Sequence, residues 1–240
     1  MDGSQNIVGA AHDKIQHDSA VKHVTGKAIY IDDMPSLPGT LEIVLVTSPH
    51  AHARINSIDG KTALAQTGVA AVLTAKDIIG HNDIAPIFEG EPAIADGVAE
   101  YAGHPVALVA AETYDQAFSA AKLVNVEYEE LTPVLDIQDA MAKEQFTYTP
   151  PSVTKGDPDV ALENAANRLQ GEIACGGQDH FYLETNIALA IPGEDQDMTV
   201  YSSTQHPTEA QHGVAHVLGV PSNAVTVEIR RMGGAFGGKE

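Results

Sequence analysis

Apolar and polar positions alternate with two different periods along this chain, and each change of period marks an element. LEIVLV at 41–46 is rich in β-branched residues and follows the turn pair Pro38-Gly39, so it predicts a strand. SPHAHARINSID at 48–59 predicts a turn and a second short strand. Asp59 is placed to cap a short helix over 62–66, and Gly68 to end it. GVAAVLT at 68–74 and HPVALVAA at 104–111 predict two further strands. Helical spacing is clearest in ETYDQAFSAAKLV at 112–124, where Ala117, Phe118, Ala121 and Val124 share one face. Thr113, with Gln116 three positions on, is its N-cap candidate. VNVEYEEL at 124–131 returns to strand alternation, and Pro133 stops it. Alternating strands and helix over 40–131 predict a compact α/β unit.

The pattern then weakens. PVLDIQDAMAKEQ allows a short helix, and TYTPPSVTKGDPD reads as linker. A second unit follows, with strands expected at 169–175, 186–191 and 198–202 and a hairpin loop at PGEDQD, 192–197. PTEAQHGVAHVLG predicts a helix: Pro207 suits its first turn, Val214, Val217 and Leu218 give an apolar face, and Gly219 can end it. NAVTVEIR at 223–230 predicts a strand that runs directly into the terminal loop. The organisation expected is an arm at 1–22, a mixed α/β unit at 23–131, a linker at 132–165 and a second unit at 166–240.

Composition narrows the function classes. The formal net charge of −20 repels nucleic acid and anionic membrane, so neither is an expected partner. The N-terminus is polar without an apolar signal core, and no run approaches ~18 apolar residues. One cysteine cannot form an internal disulfide, a four-cysteine zinc site or an iron–sulfur cluster, and a reducing, cytoplasmic setting fits. Cys175 lies in the apolar run LQGEIACGG, so a buried, inert thiol is expected. His50 and His52 would share a strand face, but two imidazoles without further ligands make a poor metal site. A structural role is the better expectation for both.

The chemistry concentrates in RRMGGAFGGKE, 230–240. Consecutive glycines allow positive φ and close approach to the backbone, and a strand ending in such a loop can offer its N–H groups to an anion. The dinucleotide fingerprint fails, because the second glycine it needs falls on Ala235 or Phe236. The phosphate-loop pattern comes nearer, with Gly233, Gly238 and Lys239 in register, but its hydroxyl position is Glu240. A carboxylate there would repel a triphosphate. A glycine turn without a ligand is the remaining alternative.

Five blocks, in order, resemble the molybdenum-hydroxylase family, and its xanthine dehydrogenases in particular: TGKAIYIDDMP, SPHAHARI, GGQDHFYLET, STQHPTEAQ and RRMGGAFGGKE. The resemblance implies an α/β hammerhead domain followed by the beginning of a molybdopterin-binding domain. It implies a molybdenum–molybdopterin cofactor that hydroxylates an electron-poor carbon, with electrons passing to 2Fe-2S clusters and FAD on partner chains or domains. It places Gln205 as a hydrogen-bond donor to a molybdenum oxo ligand, and the backbone of Phe236 and Gly237 against the metal end of the cofactor. Glu240 would contact the substrate and favour a purine over an aldehyde. Gln178, His180 and Glu184 are expected to pack and to fix loops rather than to ligate. No residue here matches the family's catalytic base, so none is assigned as catalytic. The chain is therefore expected to be the first portion of a longer subunit of a homodimeric complex, inactive and without cofactor on its own.

Overall fold

The computed structural model describes residues 15–85, 87–149 and 151–240. Nine strands lie in these residues: β1 Glu42–Thr47, β2 Ala53–Asp59, β3 Val69–Leu73, β4 Val98–Ala99, β5 Pro105–Ala111, β6 Asn125–Glu130, β7 Ala188–Pro192, β8 Met198–Ser202 and β9 Val225–Glu228. The α-helices are α1 Ala20–Val24, α2 Lys61–Leu64, α3 Tyr114–Ala121, α4 Ile137–Ala142, α5 Pro158–Glu163 and α6 Pro207–Leu218. The fold is mixed α+β, and it divides into two compact units: residues 39–181, and residues 15–38 together with 182–240.

In the first unit two antiparallel sheets form, in the orders β1-β5-β3 and β4-β2-β6. β5 is the central strand of its sheet, and its residues are buried or half-buried throughout, as the unbroken apolar run PVALVAA requires. β6 alternates, with Val126 and Tyr128 half-buried between exposed neighbours. Thr113 caps α3 by accepting the Gln116 N–H at 3.3 Å. Ala63, Val109 and Ala120 are fully buried and pack with Val46, Val69 and Val72. Small alanines on α2 and α3 let these short helices approach the sheet closely.

Several expectations change here. α2 starts at Lys61 with Gly60 as N-cap, and the Asp59 carboxylate accepts the Lys61 N–H at 3.0 Å. Phe118 does not join the buried face of α3, where Ala117 and Ala120 are buried; it stacks on Tyr114 with ring centroids 5.8 Å apart. A helix, α5, occupies the stretch read as linker, started by Asp157 and by Pro158 in its first turn. The strand expected at 169–175 is absent: Leu169 is 100% and Ile173 90% exposed. An apolar run becomes a strand only where a neighbouring strand completes its hydrogen bonds, and no described residue does so there. Cys175 is accordingly exposed rather than buried.

In the second unit β7 and β8 form the expected hairpin, and β8 pairs with β9 in parallel. A parallel pair needs a crossover of a dozen or more residues, and α6 supplies it. Gly219 ends α6 at φ 70. Val200, Ala215 and Val225 form the core, with Met198, Val214, Val220 and Val227 against it. Of the arm expected at 1–22, residues 1–14 lie outside the described residues, while 20–24 form α1 and Ser19 is buried. Among the described residues no helix is long and apolar enough to cross a membrane.

Candidate functional site at the ends of β8 and β9

Parallel pairing puts the carboxyl ends of β8 and β9 side by side, with Tyr201 opposite Glu228. Residues that follow the two strands therefore meet, although some thirty positions separate them in sequence. Gln205 follows β8, and the glycine loop follows β9.

Gln205 is exposed and tied to the loop at three atoms. Its Oε1 accepts the Gly237 N–H at 2.9 Å, its Nε2 donates to Glu240 Oε1 at 3.2 Å, and its backbone N–H donates to Lys239 O at 2.8 Å. The amide is thereby oriented, and a second amide hydrogen is left for a further acceptor. The buried Thr204 hydroxyl also donates to Lys239 O, at 2.9 Å. Three of the four residues singled out in the sequence, Gln205, Gly237 and Glu240, thus sit in one hydrogen-bonded group. The fourth, Phe236, projects outward, 76% exposed, with a left-handed φ of 54. A bulky residue in that region carries strain of about 1–3 kcal/mol.

The start of the loop is fixed by Glu184. Its Oε2 accepts the Gly233 N–H at 2.7 Å, and Gly233 O accepts the N–H groups of Leu183 and Glu184. A Cβ on Gly233 would collide with the Glu184 side chain, and Gly234 has φ +105. Glycine is required at the first position by space and at the second by conformation. The end of the loop is fixed by Lys239, whose ammonium lies 3.4 Å from the same Glu184 oxygen and 4.7 Å from the Tyr182 ring centroid. This removes the phosphate-loop reading, because the lysine that would meet a nucleotide is buried and paired. The Glu184–Lys239 pair is the feature that the sequence reading missed. Its members are 55 positions apart, and no local pattern connects them.

His50 and His52 lie just before β2, not on it. His50 packs edge-on against Tyr128 and lies 3.5 Å from Glu130, and His52 contacts Thr132 O at 3.3 Å. Burial raises the Tyr128 pKa above its usual value, and a hydrogen bond with Ser48 opposes the rise. A separate cleft of about 500 Å³ runs beside Lys22, Tyr30, Tyr201, Arg230 and Arg231, and none of the four predicted residues lines it.

The donor set at the loop is a neutral carboxamide and backbone N–H groups on an exposed glycine surface. Among the described residues no group of three His, Cys, Asp or Glu could hold a bare metal ion. Such donors fit a metal that arrives already chelated by an organic ligand and needs only outer hydrogen bonds. Residues 139–240 match the family described as the molybdopterin cofactor-binding domain, and residues 25–132 match the aldehyde oxidase and xanthine dehydrogenase a/b hammerhead domain. This chain belongs to the molybdenum hydroxylase family. Relatives within the family include a xanthine dehydrogenase of Dictyostelium discoideum, 44% identical over 226 residues, which are 94% of this chain and 16% of that protein. Aldehyde oxidase 3 of Rattus norvegicus is 39% identical over 241 residues, covering 100% of this chain and 18% of that protein. Among solved structures, quinoline 2-oxidoreductase of Pseudomonas putida 86 superposes with a TM-score of 0.78 at 30% identity, over 94% of this chain and 31% of that one. The chain thus spans less than a fifth of the length of the curated family members it matches.

Proposed function

We propose that this chain supplies the hammerhead domain and the leading part of the cofactor-binding domain in a molybdenum hydroxylase that acts on purines. The observation that carries this reading is the Glu240 carboxylate, held beside the Gln205 amide at 3.2 Å on the exposed side of the glycine loop. Molybdopterin-bound molybdenum, when present, supplies the two-electron redox chemistry and oxygen transfer that hydroxylate an electron-poor carbon. Gln205 would hold that group through its remaining amide hydrogen, and the Phe236–Gly237 backbone would lie against it without obstructing side chains. Glu240 would accept an N–H of the heterocycle and stabilise the charge and proton shifts that accompany attack on the ring, an effect useful only if it strengthens in the transition state. The 2Fe-2S and FAD centres that take the electrons would reside on partner chains or domains of a cytoplasmic, homodimeric complex.

Glu240→Gln in the complete enzyme tests the reading. Purine kcat/KM should fall by about tenfold or more while aldehyde turnover is kept, since a charged hydrogen bond is worth about 1.5–3 kcal/mol. Unchanged xanthine turnover with reduced aldehyde turnover would overturn it. An aldehyde hydroxylase is the second reading, favoured by the match of aldehyde oxidase 3 along the whole of this chain.

A further inference from the structure

We propose that Glu184 and Lys239 are positioning residues, one buried ion pair that closes the base of the glycine loop and sets where Gln205 and Glu240 stand. The Lys239 side chain is 1% exposed and that of Glu184 is 11%. One carboxylate oxygen of Glu184 holds both ends of the loop, the Gly233 N–H at 2.7 Å and the Lys239 ammonium at 3.4 Å. The other oxygen is buried with no partner among the described residues. Packing alone would be better served by an apolar side chain, because burying a carboxylate costs desolvation. The charge is therefore explained by the two directed bonds, which join positions far apart in the sequence.

The ion pair reaches the site through the Lys239 backbone. Its carbonyl accepts the Gln205 N–H and the Thr204 hydroxyl, and its peptide carries Glu240 as the next residue. Fixing Lys239 thus fixes the origin of both candidate groups. Tyr182 supports the ammonium from below at 4.7 Å, a cation–π contact that suits a lysine excluded from water. The ion pair stands on geometry alone, whereas its consequence for catalysis rests on the function proposed above. The two parts are tested separately.

In this chain, Glu184→Leu, Lys239→Met and the double variant form a thermodynamic cycle. Each single change should lower the thermal midpoint by several degrees, and the double should cost less than their sum, because each single leaves a buried charge unpaired. Lys239→Met should also speed amide exchange at Gln205 and Gly237 by about tenfold or more. Glu184→Gln keeps the volume and reads the same coupling if the leucine variant does not fold. Additive midpoints with unchanged exchange at Gln205 and Gly237 would overturn the ion pair as a positioning device. In the complete enzyme, Lys239→Met should reduce kcat/KM about ten- to a hundredfold at unchanged molybdenum content per polypeptide, with Lys239→Arg restoring part of it. Coupling in the chain without a kinetic effect would overturn the consequence for the site and leave the ion pair standing.

Discussion

Gly233→Ala puts the geometry of the loop to a direct test. The new Cβ would collide with Glu184 Cβ, and it would lie 3.0 Å from the Glu184 backbone N and 3.3 Å from its Cα. The neighbour is backbone and cannot rotate away, so the two segments must separate. Overpacking of this kind costs about 1–3 kcal/mol. Separation also lengthens the 2.7 Å bond from Gly233 N–H to the Glu184 carboxylate, and bonds to charged groups are worth about 1.5–3 kcal/mol. The two costs overlap, since the same movement relieves one and causes the other, so about 2–4 kcal/mol is expected in all. For a chain of this size that corresponds to a fall in thermal midpoint of about 4–16 °C. Gly213→Ala is the internal control. It lies within α6 with no described atom beyond the local helix backbone within 4 Å of an added Cβ, and it should stabilise by about 0.5–1 kcal/mol through helix propensity. Thermal and urea unfolding followed by circular dichroism reads both. A Gly233→Ala midpoint within about 1 °C of wild type would refute the close approach of Glu184 to the loop.

Three further outcomes are expected. Val109→Ala removes two methyl groups from a fully buried position beside Ala63 and Ala120, and should lower the urea-derived stability by about 2 kcal/mol without changing the slope of the transition. Tyr128 has its pKa raised in the folded chain, so the folded form holds its proton at a pH where the unfolded form has lost it. Its contribution is present below about pH 10, the ordinary tyrosine value, and is lost as pH rises through the folded value. Urea unfolding between about pH 9 and 11 should therefore show a steeper loss of stability in wild type than in Tyr128→Phe. Cys175 is exposed, so one thiol per chain should react with a thiol reagent under native conditions, to the same extent as in urea.

Much of the fold is legible from short-range pattern. β5, α3, α6 and the β7–β8 hairpin stand where periodicity and turn residues predict them, because each is specified by neighbours within a dozen positions. The same reasoning fails at 169–175, where LQGEIAC has strand composition but no strand beside it. It fails again at Cys175 and Phe118, where apolar character did not bring burial. Burial depends on what packs against a residue, and the residue itself does not carry that information.

The candidate site divides along the same line. The terminal glycines, Gln205 and Glu240 are visible as residue types in a quoted motif, and their chemistry follows from the side chains alone. Their meeting does not: it is decided by the parallel pairing of β8 and β9, which sets the strand ends side by side. Lys239 illustrates the difference most sharply. In the sequence it is the lysine of an incomplete phosphate loop, a cation seeking an anionic ligand. In the structure it is buried against Tyr182 and paired with Glu184, so its charge is neutralised from within. Sequence determined which groups could do chemistry here, because donor and acceptor character is local. Tertiary structure decided which of them are available and which are spent on holding the loop, because a buried charge must find its partner wherever the chain's path brings one within reach.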